Sequence, residues 1–389
     1  MIYIITTETF PKGLAATQRL KCYAKSVVEL GYACKVLCVN RSEDPNKPRG
    51  NVNTKGVIDG YEYLYMGRTT LLKKPWQNTI NQLLDTLKLV IMMLFNFRNK
   101  DKVILYLYNP LLFKLIVACS RIRRFEVFFE LNEHPVILKR LFGIKGEAVE
   151  DLALIRKRLN GVDGVLCIST ALQDLLVRSG LPQERVHIVN MQVDTSRFDA
   201  VSKEETESYV GYCGAADNNK DGVDQLINAF NSISDKYPEL KLYIMGPRRT
   251  DCQNEQLVKN LGLEGRIIFT GVISPTDLPQ KLINARILAL DRPQSIQAKY
   301  GFPTKLGEYL STGNPVIVTS VGDIPLFLKD CESAYLVEPD NVEAFAAKMD
   351  HILSHNDESK RVGLNGREVA MKHFSGQCIK SQLKVAMKL

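Results

Sequence analysis

The sequence predicts an α/β protein made of two doubly wound, Rossmann-like domains that face each other across a cleft. Short apolar runs alternate with amphipathic helical stretches along the chain, and this alternation occurs in two series separated by one polar stretch. The length of 389 residues, with 45% hydrophobic and 24% charged residues, suits two or three domains of ordinary composition.

The first series begins with the strand MIYIITT, a helix from about Thr17 to Leu30 and the strand CKVLCVN, which together make a β-α-β unit. Further buried strands are predicted at KVILYLY, EVFFEL, GVLCIST and residues 186–190. We expect a first domain over residues 1–200, followed by a linker in the polar stretch DAVSKEETES.

The second series repeats the same alternation. Strands are predicted at YVGYCG, KLYIMG, RIIFTG, ILALD and PVIVTS, and helices at residues 224–236, 255–261, 278–284, around Lys305 and at 342–353. We expect a second domain over residues 207–372 and a C-terminal helix over 373–389 that packs back on the first domain. Ligands in such sheets bind at the carboxyl ends of strands, where Gly13, Glu133, His134, Gly214 and Gly246 fall.

Charge and cysteine content restrict the class of protein. Residues 1–200 carry 29 Lys+Arg against 19 Asp+Glu, a balance of +10, whereas the whole chain carries +8. Such a surface suits nucleic acid, anionic lipid or an anionic substrate, and an ordinary solvated surface explains it equally well. The nine cysteines are scattered without a C-x-x-C pair, and the start lacks signal-peptide features, so we expect a cytoplasmic protein with reduced thiols.

Residues 83–97, LLDTLKLVIMMLFNF, are unusually apolar and have basic residues on both sides. A buried helix is the slightly favoured interpretation. A helix that touches the membrane interface is the alternative.

Several reaction classes are excluded by missing motifs. The chain has no G-x-G-x-x-G after its first strand, no P-loop, no H-E-x-x-H and no G-x-S-x-G. It also has no D-x-D, the motif that would hold a divalent metal against a nucleotide diphosphate. A bound diphosphate must then be neutralised by lysine, arginine and helix N-termini, so we expect neither a metal nor a cofactor.

The stretch YGFPTKLGEYLSTGNPV predicts a helix with two unusual residues. Thr304 is the expected N-cap, and Gly313 and Pro315 end the helix. Lys305 in the first turn opposes the helix dipole, and Gly307 inside the helix costs about 1 kcal/mol relative to alanine. An anion at the helix N-terminus and a ligand close to the backbone would explain both.

Cationic side chains follow several strands of the second series, namely Lys220, Arg248, Arg249 and Lys305. We expect them to converge on one edge of the cleft. Glu308, one turn after Lys305, can accept two hydrogen bonds from a ribose, and its alternative role is an ion pair with Lys305.

These segments resemble the retaining glycosyltransferases of family 4, the group 1 glycosyltransferases, which have the two-domain B-type fold. The likeness is carried by YGFPTKLGEYLSTGNPVI, CGAADNNKDGVDQLINAF, VLCISTALQDLLVRSG with VNMQVDTSRF, and RIIFTGVI. It extends over nearly the whole chain.

The resemblance implies roles for individual residues. His134 would lie next to the reacting sugar and Lys220 would neutralise the departing diphosphate, so these two form the expected catalytic set. The expected donor-binding set is Gly13, Gly214, Arg248, Arg249, Lys299, Tyr300, Gly301, Phe302, Pro303, Thr304, Lys305 and Glu308, with Gly13 under the diphosphate and Glu308 on the ribose.

Two positions depart from the family pattern. Tyr300 stands where the first glutamate of the E-x7-E pair is expected, so Lys299 or the backbone amides of Gly301 and Phe302 would contact the donor sugar. Ala215 stands where the family has an arginine, a charge that Lys305, Arg248 or Arg249 would replace.

The leading hypothesis is a retaining, metal-independent transferase that moves a hexose from a UDP- or GDP-sugar onto a saccharide in cell-surface polysaccharide or glycolipid synthesis. A lipid-linked acceptor and peripheral contact of the first domain with the inner face of an anionic membrane follow from the charge balance and the apolar segment. The alternatives are a sugar-nucleotide epimerase or phosphorylase of the same fold and a non-catalytic nucleotide-sugar or membrane-binding partner. No nucleic-acid partner is expected, because aromatic and basic residues are not interleaved.

Overall fold

The computed structural model describes residues 1–13, 15–46, 50–132, 139, 151–204, 207–216, 218–248 and 251–389. The chain forms two compact units, the first made of Met1–Asn190 with Gly376–Leu389 and the second of Met191–Ser375. The division therefore falls at residue 190, before the stretch that the sequence analysis assigned to the linker, and the last helix belongs to the first unit.

The described residues of the first unit form an eight-stranded sheet in the order β3-β4-β2-β1-β5-β6-β7-β8. The strands are β1 Ile2–Thr6, β2 Cys34–Cys38, β3 Lys55–Ile58, β4 Tyr61–Tyr65, β5 Lys102–Tyr106, β6 Glu126–Leu131, β7 Gly164–Cys167 and β8 Val186–Ile188. The helices are α1 Ala15–Glu29, α2 Pro75–Asn96, α3 Pro110–Arg123, α4 Leu152–Leu159 and α5 Thr170–Arg178, with a 3-10 turn at Gln183–Arg185. All pairings are parallel except β3 with β4.

The pairing pattern explains the sequence pattern of the strands. β1 lies between β2 and β5, and all five of its residues are buried, as expected for a parallel strand covered on both faces. β3 and β4 form an edge hairpin that the sequence analysis missed. Its two turn residues, Asp59 and Gly60, both have positive φ, which is the requirement of a type I′ turn.

The second unit contains a six-stranded, fully parallel sheet in the order β11-β10-β9-β12-β13-β14. Its strands are β9 Tyr209–Cys213, β10 Lys241–Met245, β11 Ile267–Gly271, β12 Ile287–Leu290, β13 Val316–Thr319 and β14 Tyr335–Val337. Its helices are α6 Ser196–Asp199, α7 Asn218–Asp221, α8 Val223–Ser234, α9 Gln253–Asn260, α10 Leu278–Asn284, α11 Ile296–Tyr300, α12 Thr304–Ser311, α13 Ile324–Phe327, α14 Val342–Ser354 and α15 Asn356–His373. In chain order this is the 3-2-1-4-5-6 arrangement of the Rossmann fold.

The last helix, α16 Gly376–Met387, completes the first unit. Ile379, Leu383 and Met387 are buried in the same apolar cluster as residues of α1, β1 and β2. The side chain of Gln382 accepts a hydrogen bond from the backbone N–H of Asn190 at 2.9 Å. The predicted α/β class with two doubly wound, parallel-sheet domains is thus confirmed, and among the described helices none is long and apolar enough to cross a membrane.

Candidate active site of the second unit

The strand order of the second sheet determines where a ligand is expected to bind. The order reverses between β9 and β12, and open parallel sheets bind ligands outside the carboxyl ends of the strands at such a point. Gly214 follows β9, and Asp291 and Arg292 follow β12. The candidate site consists of these residues with the polar side chains of α7 and α12 that contact them.

A buried ion pair joins α7 to α12 at this point. Lys305 Nζ donates to Asp221 Oδ2, and it also donates to the hydroxyl of Tyr212 at 3.1 Å. The Tyr212 hydroxyl in turn lies 2.9 Å from Asp221 Oδ2, and its ring lies 4.7 Å from the ammonium group. The predicted cation at the start of the helix therefore faces an internal carboxylate.

Arg292 is a second cation on the same carboxylate. Its Nε lies 3.8 Å from Asp221 Oδ1, and its backbone is held by the side chain of Thr319, which accepts from Arg292 N and donates to Arg292 O at 2.8 Å. The Arg292 side chain is only 3% exposed, and its Nε and Nη1 atoms have no hydrogen-bond partner among the described residues. Arg292 therefore adds a buried guanidinium whose donors are not all used.

The three side chains Lys305, Arg292 and Asp221 together hold more positive than negative charge. Burial lowers the pKa of Lys305 and of Arg292, and in both cases the Asp221 carboxylate opposes this effect. One carboxylate thus faces two cations in a region where water is largely excluded. Bringing an anion to such a site relieves part of the cost of burying the cations.

Glu308 is one helical turn beyond Lys305, but it pairs with a different cation. Arg197 Nη1 donates to Glu308 Oε1 at 3.0 Å, and Arg197 Nη2 donates to the carbonyl oxygen of Pro275 at 2.8 Å. The expected alternative of a Glu308–Lys305 ion pair is therefore wrong. Burial raises the pKa of Glu308, and Arg197 counteracts this by favouring the carboxylate.

The start of α12 differs from the prediction in one detail. Thr304 is the first helical residue, and Pro303 occupies the N-cap position without a side-chain cap. Thr304 is therefore not the N-cap. Because proline offers no side-chain oxygen, the first-turn amides of this helix receive no capping group from that position. Tyr309 anchors the helix to β9, since its hydroxyl accepts from Cys213 N at 2.6 Å.

The glycines of the site have packing reasons. A Cβ on Gly307 would overlap Met191 Cε and come within 3.3 Å of Val193 Cβ, so close helix packing explains this glycine without a ligand. A Cβ on Gly214 would overlap Lys305 Nζ, and one on Gly246, where φ is +149°, would overlap the carbonyl oxygen of Gly214. Packing against Met191 and Val193 is thus a second reason for glycine at position 307, and contact with a ligand there stays a prediction.

The segment before α12 is mostly packed into the second unit. Tyr300 is fully buried at the end of α11, and Lys299 Nζ lies 4.7 Å from the centre of its ring. Phe302 is buried against Phe327, whereas Gly301 is half-buried. Their contact with a donor sugar stays a prediction.

The other predicted cations are positioned differently. Lys220 lies on α7 directly before Asp221 and is half-buried. Arg248 is exposed, and its Nη2 donates to the carbonyl oxygen of Phe269 at 2.9 Å, at the end of the sheet occupied by β11. Arg249 and His134 lie outside the described residues, so their expected roles stay predictions.

Gly13 belongs to the first unit, in the loop between β1 and α1. A Cβ there would overlap the hydroxyls of Thr9 and Thr17, and Thr17 Oγ1 donates to the carbonyl oxygen of Thr9 at 2.7 Å. Close packing of two threonines therefore accounts for the glycine. A position under a diphosphate stays a prediction.

Sequence reasoning missed Asp221, Arg292 and Arg197. Arg292 directly follows the predicted strand ILALD, and this place at a strand end was the signal that could have identified it. The partners of Lys305 and Glu308 are 84 and 111 residues away in the chain, so no local pattern indicates them. Among the described residues no group of three or more His, Cys, Asp or Glu could hold a metal ion.

A Rossmann-type sheet with a cationic cluster at its switch point is typical of nucleotide-binding domains. Residues 207–355 match the family described as glycosyl transferases group 1. This match lies within the second unit, and it confirms the predicted resemblance.

Two relatives of known function are similar to part of the chain. The MMP alpha-(1->4)-mannosyltransferase of Mycolicibacterium hassiacum is 25% identical over 215 residues, which is 55% of this chain and 51% of the relative. The mannosylfructose-phosphate synthase of Agrobacterium fabrum is 24% identical over 261 residues, which is 62% and 55% of the two chains. The chain therefore spans about half the length of the curated relatives it matches.

Solved structures are similar over the whole chain. Sucrose-phosphate synthase from Thermosynechococcus elongatus superposes with a TM-score of 0.73 at 16% identity, covering 100% of this chain and 98% of the other. Anabaena HepE in complex with UDP gives a TM-score of 0.69 at 15% identity, with 100% and 99% covered. At these identities the similarity identifies the fold alone, which is the B-type glycosyltransferase fold.

Proposed function

We propose that the protein is a retaining glycosyltransferase that transfers a hexose from a UDP- or GDP-sugar to a saccharide acceptor. The observation that carries the proposal is the pair of buried cations, Lys305 and Arg292, on one carboxylate at the switch point of the second sheet. The group 1 family match and the relatives named as a mannosyltransferase and a phosphosugar synthase support the same reaction class.

The chemistry follows from the charge that develops in the reaction. Cleavage of the glycosyl–phosphate bond leaves an oxocarbenium-like sugar and a diphosphate that gains negative charge. Fixed positive groups aimed at this diphosphate stabilise the transition state, and one such group is typically worth about 10²–10³ in rate. Lys305, Arg292 and the uncapped start of α12 are the groups available at this point, and Lys220 on α7 is the residue that we assign to the departing phosphate.

Arg292 can replace the positive charge that the family arginine would supply at the position of Ala215. The family arginine is absent at that position, and Lys305, Arg248 or Arg249 was expected to replace its charge. Arg292 follows the carboxyl end of β12 at the switch point of the sheet, and its Nε and Nη1 atoms have no hydrogen-bond partner among the described residues. We therefore add Arg292 to the proposed diphosphate site and assign the ribose to the remaining oxygen of Glu308.

In this proposal the anomeric configuration of the sugar is retained because the acceptor attacks from the same face that the diphosphate leaves, and the leaving phosphate accepts the proton of the acceptor hydroxyl. No protein nucleophile is then required, and His134 orients the sugar without acting as a base. The proposal also holds that the reaction needs neither metal nor cofactor. The acceptor is taken to be lipid-linked and the enzyme to act at the cytoplasmic face of the membrane, because residues 1–200 carry a charge of +10.

The test combines ligand binding with turnover. UDP, GDP and common nucleotide sugars are added to the purified protein, and thermal unfolding is followed; one nucleotide family is expected to raise Tm. With the donor so identified, Lys220→Ala is expected to abolish transfer, whereas Lys259→Ala, at an exposed lysine of α9, retains it.

Three outcomes contradict the proposal. Turnover of Lys220→Ala close to that of the unaltered protein removes the assignment of the leaving-group charge. Conversion of UDP-GlcNAc without an acceptor indicates an epimerase. Binding of a nucleotide sugar without hydrolysis or transfer indicates a non-catalytic binding protein.

A further inference from the structure

The helix α2 exposes an apolar face to solvent. Seven large apolar side chains recur along it at helical spacing, and each is between 48% and 79% exposed: Trp76, Ile80, Leu83, Leu84, Leu87, Ile91 and Phe95. Residues at these intervals of three and four lie on one side of an α-helix. We call this surface the outward face of α2. It extends over nearly the full length of the helix.

The outward face is separate from the face that packs on the protein. Asp85, Leu89 and Met93 are buried, and they lie on the opposite side of the helix. Asp85 is held by Arg41 at 3.4 Å and by Lys88 at 3.5 Å. The helix is thus anchored to the first unit by one side and apolar on the other. A contiguous exposed apolar surface of this length marks an interaction site.

The exposed charges of residues 66–100, the segment that contains the outward face, have one sign. Residues 66–100 contain one acidic residue, the buried Asp85, and six exposed basic residues, Arg68, Lys73, Lys74, Lys88, Arg98 and Lys100. Basic residues therefore precede the helix, lie on it and follow it. A second copy of this chain would bring two such basic rims together, which is repulsive. An anionic lipid bilayer provides an apolar interior for the exposed side chains and negatively charged headgroups for the basic residues.

We propose that the outward face of α2 docks in the plane of an anionic lipid bilayer. The apolar side chains enter the boundary between headgroups and acyl chains, and the basic residues at both ends contact the lipid phosphates. Trp76, close to the start of the helix, has the amphipathic ring that is favoured at this depth. The inference names the surface for the membrane contact in the proposed function. It needs no transfer activity.

The test uses the complete chain without nucleotide sugar, so its result is independent of the proposed reaction. Vesicles of phosphatidylcholine alone and with phosphatidylglycerol are mixed with protein and floated on a density gradient. We expect flotation only with the anionic vesicles and its loss at high salt. Trp76 is the single tryptophan of the chain, so its emission is expected to shift to shorter wavelength when the outward face enters the bilayer.

Matched variants distinguish docking through the outward face from nonspecific hydrophobic binding to vesicles. Leu83→Asp is expected to lower the vesicle partition coefficient at least ten-fold. Leu364→Asp, at a leucine of α15 with 60% exposure against 59% for Leu83, is expected to leave it unchanged. Lys73→Gln with Lys74→Gln is expected to lower it about five-fold per charge. Thermal unfolding verifies that each variant is folded.

Three results would overturn the inference. The first is flotation of Leu83→Asp equal to that of the unaltered protein. The second is equal binding to neutral and anionic vesicles together with unshifted Trp76 emission. The third is a dimer in sedimentation that Leu83→Asp converts to a monomer without any vesicle binding, since the outward face would then be an interface between two copies.

Discussion

Replacing Asp221 by asparagine is the sharpest test of the charge cluster in the second unit. The side chains of Asp221, Lys305 and Arg292 are 4%, 16% and 3% exposed, so all three are shielded from water. Asparagine preserves the shape of the carboxylate and removes its charge. Two buried cations then face no counter-charge from this position.

The expected cost follows from that imbalance. Breaking a buried ion pair by removing one partner costs about 3–5 kcal/mol, because it leaves an uncompensated charge. For a unit of 150–250 residues each kcal/mol corresponds to about 2–4 °C in Tm, so Asp221→Asn is expected to lower the unfolding temperature by about 6–20 °C. Lys305→Met, which leaves Asp221 opposite Arg292, is expected to cost less than about 2 kcal/mol.

The assay is thermal unfolding by calorimetry, with and without pyrophosphate or UDP. Because the unbalanced cations bind an anion more strongly, the rise in Tm on adding pyrophosphate is expected to be larger for Asp221→Asn than for the unaltered protein. The double variant Asp221→Asn with Lys305→Met is expected to recover part of the lost stability. An Asp221→Asn protein that unfolds within about 2 °C of the original, or a Lys305→Met protein that is less stable than Asp221→Asn, would refute this account of the charges.

Three further predictions concern neighbouring residues. Glu308→Gln is expected to weaken donor binding about ten-fold while leaving pyrophosphate binding unchanged in titration calorimetry, and equal donor affinity would contradict the ribose role. Gly246→Ala is expected to lower the free energy of unfolding by at least about 2 kcal/mol, because its Cβ would overlap the Gly214 carbonyl. The control is Gly262→Ala, where φ is +68° and nothing lies within 4 Å of the new Cβ, so this variant bears only the backbone strain. Equal losses of unfolding free energy in the two variants would contradict the close approach of Gly246 to Gly214. Burial, and then the charges of Asp340 and Asp224, raise the pKa of Asp291 from 3.8 to about 7. The folded state therefore binds the proton of the Asp291 carboxyl more tightly than the unfolded state does. This protonation stabilises the folded state fully below about pH 4, and the stabilisation, at most about 4 kcal/mol, is lost as pH rises to about 7. Asp291→Asn is expected to flatten that dependence in denaturant unfolding between pH 5 and 8, and an unchanged slope would exclude Asp291 as its source.

The fold was predictable because the signals that define it are local. Each buried parallel strand is a short apolar run, and each helix has an apolar face of helical period, so the alternation in two series is visible without a structure. The edge hairpin of β3 and β4 was missed because its strands are short and partly exposed, although Asp59 and Gly60 are a type I′ turn pair. The first compact unit ends at Asn190, whereas the expected first domain ends at residue 200, because residues 191–204 are polar in part yet pack within the second unit.

The sequence predicts some residues of the candidate site but not the side chains that pair with them. The strand ends and the helix at Thr304 led to Lys305 and Glu308 as expected donor-binding residues, and that role stays a prediction. Their partners come from distant parts of the chain, and only the topology of the sheet brings Asp221, Arg292 and Arg197 to them. A capping role for Thr304 was a reasonable expectation from composition, but Pro303 fixes the helix start one residue earlier.

The arrangement around Lys305 also bears on how a diphosphate would be held. Asp221 accepts from Lys305 and lies close to Arg292, so both cations are fixed before any ligand arrives. Cations fixed in this way require little reorganisation when charge develops on a departing phosphate, which is the condition under which electrostatic stabilisation is most effective. A second carboxylate would neutralise the cluster and remove its attraction for an anion. One carboxylate for two cations therefore gives both the rigidity and the positive balance that the proposed reaction requires.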